Sequence, residues 1–196
     1  MKAARIVTEC CARLGIRYLT LYTFSNENWK RPVREVNRLM DMLYQKLVEE
    51  KEILTRNRIR LKVVGDLGRL PQKLRAKLAE TEAMTAEHEN LQINLALSYG
   101  ARQEIVQAVK RISSENIPAR KINEKMFKQY LYTGDMPDPA LLIRTSGEYR
   151  ISNFLLFQIA YSELYFSPDL WPDFRVKSLL TALLDFQHRD RRYGGL

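Results

Sequence analysis

Residues 91–112 read LQINLALSYGARQEIVQAVKRI, and this stretch decides the fold. Leu91–Leu97 is a short apolar run of strand length. Arg102–Ile112 is amphipathic at helical spacing. Between them SYGARQE carries Ser, Tyr, Gly and Arg. A strand that empties through a short polar turn into a helix is the building unit of a parallel sheet. The helix crosses back over the sheet, and the next strand runs the same way.

The same unit recurs on either side. Met1–Leu14 has helical apolar spacing and stops at Gly15, and RYLTLYTF (Arg17–Phe24) reads as a buried strand. Pro32 starts a long helix over Val33–Leu54. Ile59–Val64 is a strand, Pro71–His88 a polar-faced helix, and Asn123–Tyr130 a shorter helix. Ala140–Ile143 and Ser162–Phe166 are short strands, and Lys177–Phe186 is a closing helix. The expected fold is therefore α/β, a mostly parallel sheet flanked by helices, in one domain over residues 1–196. No repeat or low-complexity linker interrupts it. Ligands of such sheets sit beyond the carboxyl ends of the strands. Four such ends carry SNENWKRP, GDLGRLP, SYGARQE and RTSGEYRISN. Their Arg, Ser, Asn and Gly content predicts one shared anionic site at that rim.

The charge agrees. The 196 residues hold 32 Lys and Arg against 23 Asp and Glu, a net charge of +9. That excess favours an anionic partner. Nucleic acid is disfavoured, because neither a basic recognition helix nor an aromatic stacking platform is evident. No apolar run approaches the ~20 residues that span a bilayer, and no signal peptide is visible. Any membrane contact is expected to be peripheral. Adjacent Cys10 and Cys11 read as free thiols of a reducing, cytoplasmic compartment.

Arg144 and Arg150 are the leading candidates for a phosphate clamp, since guanidinium forks bind phosphate oxygens in pairs at any relevant pH. Gly147 would allow close backbone approach, Ser152 and Asn153 add neutral donors, and the loop's N–H groups would form an anion nest. The alternative is a surface turn with stray cations. Glu163 is a lone acid in apolar QIAYSELYF. It needs a partner, either Mg²⁺ beside phosphates or one of the many arginines. In the first loop, Ser25, Asn26, Glu27, Asn28 and Arg31 can position and clamp phosphate oxygens, and Trp29 offers an apolar wall. The alternative there is a capped helix start. The long helix is apolar on more than one stripe, through Met40, Met42, Leu43, Tyr44, Leu47 and Val48. That is either plain core or the lining of a long apolar cavity. His88 and His188 read as solvent-facing. No catalytic triad, zinc spacing or Walker-type loop is present.

With these residues in view, the chain resembles the cis-prenyltransferases, of which bacterial undecaprenyl diphosphate synthase is one type. FSNENWKRP (24–32), LALSYGARQEIV (95–106), RTSGEYRISNFLLFQIAYSELYF (144–166) and WPDF (171–174) carry the resemblance in order and spacing. It implies a transferase that adds isopentenyl diphosphate to an allylic diphosphate such as farnesyl diphosphate, using Mg²⁺ and working as a homodimer. It implies that Arg144, Arg150, Ile151 and Ser152 hold the diphosphate of isopentenyl diphosphate. Glu163 would bind Mg²⁺, with Tyr149 standing where many members have a histidine. Ser25, Asn26, Glu27, Trp29 and Arg31 would serve substrate binding, and Asn28 catalysis. A weak base such as an amide is better suited to orienting a diphosphate oxygen that takes the proton. Met40, Leu43, Leu47 and Leu91 would wall a hydrophobic tunnel. Arg192 and Gly194 match a terminal Arg-x-Gly element that reaches a diphosphate across the dimer.

The family also has an opening strand and an Asp-Gly-Asn-Gly-Arg-Trp loop for the allylic diphosphate, and neither is in these residues. The expectation is a domain truncated at its amino terminus, an enzyme by family. The alternative is a non-catalytic partner subunit that keeps one half-site.

Overall fold

The computed structural model describes residues 2–190. Helix α1 (Lys2–Arg13) buries Ala3, Val7 and Cys11, spaced by four, along one face. The chain divides into two compact units, Cys11–Gly134 and Met1–Cys10 with Asp135–Leu196.

The unit Cys11–Gly134 is built on strands β1 (Tyr18–Ser25), β2 (Ile59–Val64) and β3 (Leu91–Tyr99). They pair in the order β1-β3-β2, all parallel. The central strand β3 is buried along nearly its whole length, as expected of a parallel strand covered on both faces. Its one amide-bearing core residue, Asn94, donates to Thr20 Oγ1 at 3.1 Å and accepts from Gln92 Nε2 at 2.8 Å. Helices α2 (Val33–Arg56) and α3 (Gln72–Met84) pack on each other and on β2. Helix α3 and its C-cap Thr85 also close the edge of that strand. The outward N–H groups of Val63 and Leu61 donate to Glu82 Oε1 at 2.8 Å and Thr85 Oγ1 at 3.0 Å. An exposed edge would otherwise leave those donors open to another chain. Of the several apolar stripes on α2, one is buried, through Val36, Met40, Leu47 and Leu54. Met42, Val48 and Val33 are exposed.

Strand β3 runs two residues further than its apolar run, through Ser98 and Tyr99. The polar turn then shrinks to Gly100, and α4 (Ala101–Ser114) follows at once. The extension arises from irregular pairing with β1, where Phe24 faces Leu97 and Ser25 faces Tyr99. Thr23 and Ser98 are the unpaired residues of this double bulge. Tyr99 then donates to Glu104 Oε2 at 2.5 Å, and Tyr132 N–H donates to Glu104 Oε1 at 2.8 Å. Glu104 is 2% exposed, and both its oxygens are satisfied, as a buried carboxylate requires. Helix α5 (Glu124–Gln129) is capped by Asn123, whose side chain accepts from Met126 N–H at 3.0 Å.

Tyr132 carries a pH signature. Burial, then the negative charges of Asp66 and Glu104, push its hydroxyl above the ordinary tyrosine value. The folded state therefore keeps this proton where the unfolded chain gives it up. The stabilisation is fully present below about pH 10 and is lost as pH rises toward the folded value. Thermal melts across that alkaline range should show Tyr132→Phe losing stability less steeply than the parent. Parallel curves would remove Tyr132 from the account.

The other unit holds β4 (Leu141–Arg144), β5 (Glu163–Phe166) and α6 (Val176–Gln187), which packs on β5. β4 and β5 pair in parallel, Leu141 opposite Glu163 and Arg144 opposite Phe166. Among the described residues no helix is long and apolar enough to cross a membrane.

Candidate active site

In the unit Cys11–Gly134 the loop after β1 is a 3-10 turn, Asn26–Lys30. Ser25 N–H donates to Asn28 Oδ1 at 2.9 Å, and Arg31 N–H to Asn28 O at 3.1 Å. Pro32 then starts α2, so the loop is both a helix lead-in and a cluster of polar side chains. The Asn28 carboxamide oxygen is engaged by backbone, which leaves its NH₂ group to donate. That is the chemistry of orienting an oxyanion rather than of accepting a proton. Arg31 pairs with Glu35 at 3.0 Å, with both side chains nearly half exposed. Such a pair is weak and gives way readily to a phosphate. Glu27 lies exposed on the turn. Trp29 is held from three directions. Its Nε1 donates to Ser98 Oγ at 2.9 Å, its ring meets Phe24 edge-on at 5.0 Å, and the Arg69 guanidinium lies 4.6 Å from its centroid. Arg69 also donates to Asn26 Oδ1 at 3.2 Å.

Sequence reasoning placed Arg69 and Ser98 only in polar strand exits and gave neither a role. The signal available was the arginine of GDLGRLP at the second exit. On α2, Met40 and Leu47 are buried and Leu43 is half-buried. Leu91 is fully buried at the start of β3, the opposite end of that strand from Ser98.

In the other unit, Arg144 ends β4. Its carbonyl accepts from Ser167 N–H at 2.7 Å. Its Nε is buried and has no hydrogen-bond partner among the described residues. A buried donor without an acceptor is costly, and a phosphate oxygen is the acceptor a guanidinium best fits. Arg150 is ion-paired with Glu148 on the same loop, and its side chain is 66% exposed. Ile151 is half-buried, and Ser152 and Asn153 both hold left-handed backbone, φ +55° and +61°.

The backbone around this loop is fixed as follows. The N–H groups of Ser146 and Gly147 donate to Asp169 O at 2.7 Å and Ser167 O at 2.9 Å. They pin the loop to the chain after β5 and are not available as an anion nest. Gly147 has φ +63° and open space where a methyl group would stand, so the positive φ weighed from sequence is present and nothing of the protein crowds the backbone there. Finally, the acid does not share the arginine's strand end. The β4–β5 register sets Glu163 three residues back from Arg144's level, roughly 10 Å at the usual rise.

Glu163 Oε2 accepts from Arg189 at 2.7 Å, and Arg189 also bonds Leu164 O at 3.0 Å and Asp185 Oδ2 at 2.5 Å. The bond to Glu163 is the main cause that pushes the Arg189 guanidinium above its usual value, against the opposing effect of burial. The arginine partner weighed from sequence is thus realised. Tyr149 is 81% exposed and packs on Phe166, ring centroids 5.2 Å apart, at the far end of β5 from Glu163. Among the described residues no group of three or more His, Cys, Asp or Glu side chains comes together. Mg²⁺ is commonly held by one or two carboxylates and by substrate phosphate oxygens. Glu163 therefore fits a metal that arrives on a diphosphate and does not fit an all-protein cage. His88 is half-buried rather than solvent-facing, with Nδ1 3.0 Å from Ile59 O. His188 is exposed. Arg192 and Gly194 lie outside the described residues.

Comparison with known proteins gives a consistent answer. The prenyltransferase family model described as "Putative undecaprenyl diphosphate synthase" matches residues 1–194. An isoprenyl transferase of Heliobacterium mobile is 48% identical over a 200-residue alignment that covers 100% of this chain and 77% of the relative. One from Thermotoga maritima is 49% identical over 185 residues, 93% of this chain and 79% of the relative. Among solved structures, lavandulyl diphosphate synthase from Lavandula x intermedia, in complex with dimethylallyl diphosphate, superposes with a TM-score of 0.94 at 33% identity. It covers 99% of this chain and 86% of that one. A probable undecaprenyl diphosphate synthase from Campylobacter jejuni gives a TM-score of 0.88 at 37% identity, covering 99% and 91%.

Proposed function

This chain belongs to the cis-prenyltransferase family, the isoprenyl transferases, and from that premise we propose that it condenses isopentenyl diphosphate with an allylic diphosphate such as farnesyl diphosphate. The product is a cis-polyprenyl diphosphate, and undecaprenyl diphosphate, a lipid carrier of cell-wall synthesis, is the member we assign. The observation that carries the reading is the buried Nε of Arg144, without a hydrogen-bond partner among the described residues, at the end of the strand that leads into the loop bearing Arg150. That loop is a clamp waiting for a bidentate oxyanion.

Arg144, Arg150, Ile151 and Ser152 hold the diphosphate of isopentenyl diphosphate. Ser25, Asn26, Glu27, Arg31 and Asn28 serve the reacting end, with Asn28 donating to a diphosphate oxygen that takes the proton. Trp29 walls the allylic chain, and Met40, Leu43, Leu47 and Leu91 line the tunnel that receives the product. Arg31, at the reacting end, acts where negative charge develops on the departing allylic diphosphate, and such preorganised electrostatics usually contributes more to catalysis than any other single effect. Mg²⁺, when bound with substrate, supplies further neutralisation of that charge, and Glu163 is the carboxylate that would hold it. Tyr149 adds at most a weak contribution.

The functional unit we assign is a homodimer, meeting around Glu163–Trp171. Exposed Leu170 (57%), and Tyr161 (79%) just before the segment, are side chains that such a contact would cover. Arg192 and Gly194 would then reach the partner's diphosphate. The setting is cytoplasmic, with peripheral membrane contact at most.

The test is incorporation of labelled isopentenyl diphosphate into organic-extractable product from farnesyl diphosphate and Mg²⁺. It is run on the 196-residue chain and on the same chain carrying a relative's opening strand and loop. Product that disappears on chelation supports the reading. Failure of both preparations overturns it.

A further inference from the structure

Ser98 is 3% exposed and holds φ +48°, a left-handed conformation that non-glycine residues seldom adopt. Glycine would hold that backbone without strain. The chain has serine there, and the serine hydroxyl has a visible task. Oγ accepts the Trp29 indole N–H at 2.9 Å, across 69 positions of sequence. The strained backbone is fixed on the other side, where Ser98 O accepts from Asp66 N–H at 3.3 Å. The same short loop after β2 delivers Arg69, which covers the indole face at 4.6 Å and bonds Asn26. Phe24, at the end of β1, takes the ring edge-on. Three strand ends thus converge on one side chain, and Ser98 supplies its only hydrogen-bonded anchor among the described contacts.

The geometry points to Ser98 as a positioning residue that acts through Trp29, with Arg69 as the second jaw of the clamp. Its hydroxyl sets the plane of the indole, so that the wall offered to the allylic chain stands in place before substrate arrives. This rests on the role given to Trp29 above. Order that exists before binding need not be created by it, and that lowers the cost of association.

Strain and hydrogen bond can be separated at this residue. Ser98→Gly removes the acceptor and relieves the backbone. Ser98→Asn keeps an acceptor oxygen on a residue that tolerates positive φ. Both are made in the full chain carrying Trp171→Phe, so that fluorescence comes from Trp29, the other of the two tryptophans. Ser98→Gly is expected to melt at or above the parent. Its Trp29 emission should shift to longer wavelength and become more accessible to acrylamide. Its affinity for farnesyl diphosphate, read by calorimetric titration, should fall roughly tenfold, within the range that loss of positioning produces. Ser98→Asn should recover most of both readouts. A merely structural serine predicts the reverse for glycine, with intact emission and intact affinity, and that result overturns the proposal. The titrations use the chain carrying a relative's opening strand and loop, and if that parent fails to bind farnesyl diphosphate the prenyltransferase reading falls and removes the substrate role of the clamp with it, while Trp29 emission in the 196-residue chain still tests the anchor. The two failures appear in different samples.

Discussion

Arg144→Ala is expected to raise the KM for isopentenyl diphosphate by about a hundredfold or more while leaving the melting temperature at or above that of the parent. The first half follows from binding: the diphosphate of isopentenyl diphosphate is carried unchanged through the reaction, so a lost contact to it weakens ground state and transition state alike and appears in KM, and truncating one partner of a buried hydrogen-bonded charge pair typically costs about 2–5 kcal/mol. The second half follows from the buried Nε, which has no partner among the described residues. Removing an unsatisfied polar group removes its desolvation penalty as well. Opposite signs for activity and stability mark a group kept for function at a cost to the fold, and a residue of purely structural value would not show them. Arg144→Lys should fall between, because an ammonium keeps the charge and loses the planar fork. Steady-state kinetics with varied isopentenyl diphosphate, beside thermal melts, decides the matter. A KM within about threefold of the parent is too small for the loss of such a charge-assisted contact and would remove Arg144 from the clamp.

Arg150 differs in an instructive way. It is exposed and already paired with Glu148, so its alanine variant leaves Glu148 unneutralised beside an incoming dianion. Loss of attraction is then joined by repulsion. Removing both side chains should recover part of the defect, a coupling that a double-mutant cycle measures directly.

Much of this molecule is legible in one dimension, for a physical reason. Alternating strand-length apolar runs and amphipathic helical runs leave a parallel sheet with crossovers as the economical arrangement, and Pro32 marks the start of α2 without any tertiary information. The parts that were not legible are those set by contacts between distant residues. Ser98 extends β3 although its side chain argues for a turn, because the bulged pairing with β1 dictates the backbone there. Glu104 reads as one more polar residue on an amphipathic helix, yet it is buried, since Tyr99 and Tyr132 meet both its oxygens. Glu163 was recognisable as an acid in need of a partner. Which partner depended on the return of the chain at Arg189, and no local pattern encodes that return. In the first loop the sequence supplied the cluster and missed its clamp, because Arg69 and Ser98 approach Trp29 from other strand ends.

The second large effect concerns Gly65, at the exit of β2, and it tests that convergence of strand ends. Gly65 has φ +134°, and a methyl group there would lie 1.9 Å from Leu97 O and 3.0 Å from Leu97 C. The obstacle is backbone of the central strand, where Leu97 and Tyr99 are fully buried, so neither side can move aside without breaking packed core. Gly65→Ala should therefore cost more than about 4 kcal/mol, the range reached only by severe core disruption. Against a total stability of about 5–15 kcal/mol, that means a collapsed melting temperature or recovery only as insoluble protein. Gly15→Ala is the matching control. It has φ +71° with nothing within 4 Å of the added carbon, so it isolates the conformational penalty, about 1–2 kcal/mol. Urea unfolding of the two variants should differ by several-fold in lost stability. Equal, small losses would mean that the chain after β2 does not press against β3 at Leu97. The path that carries Asp66 to Ser98 and Arg69 to Trp29 would then be drawn wrongly, and the clamp would go with it.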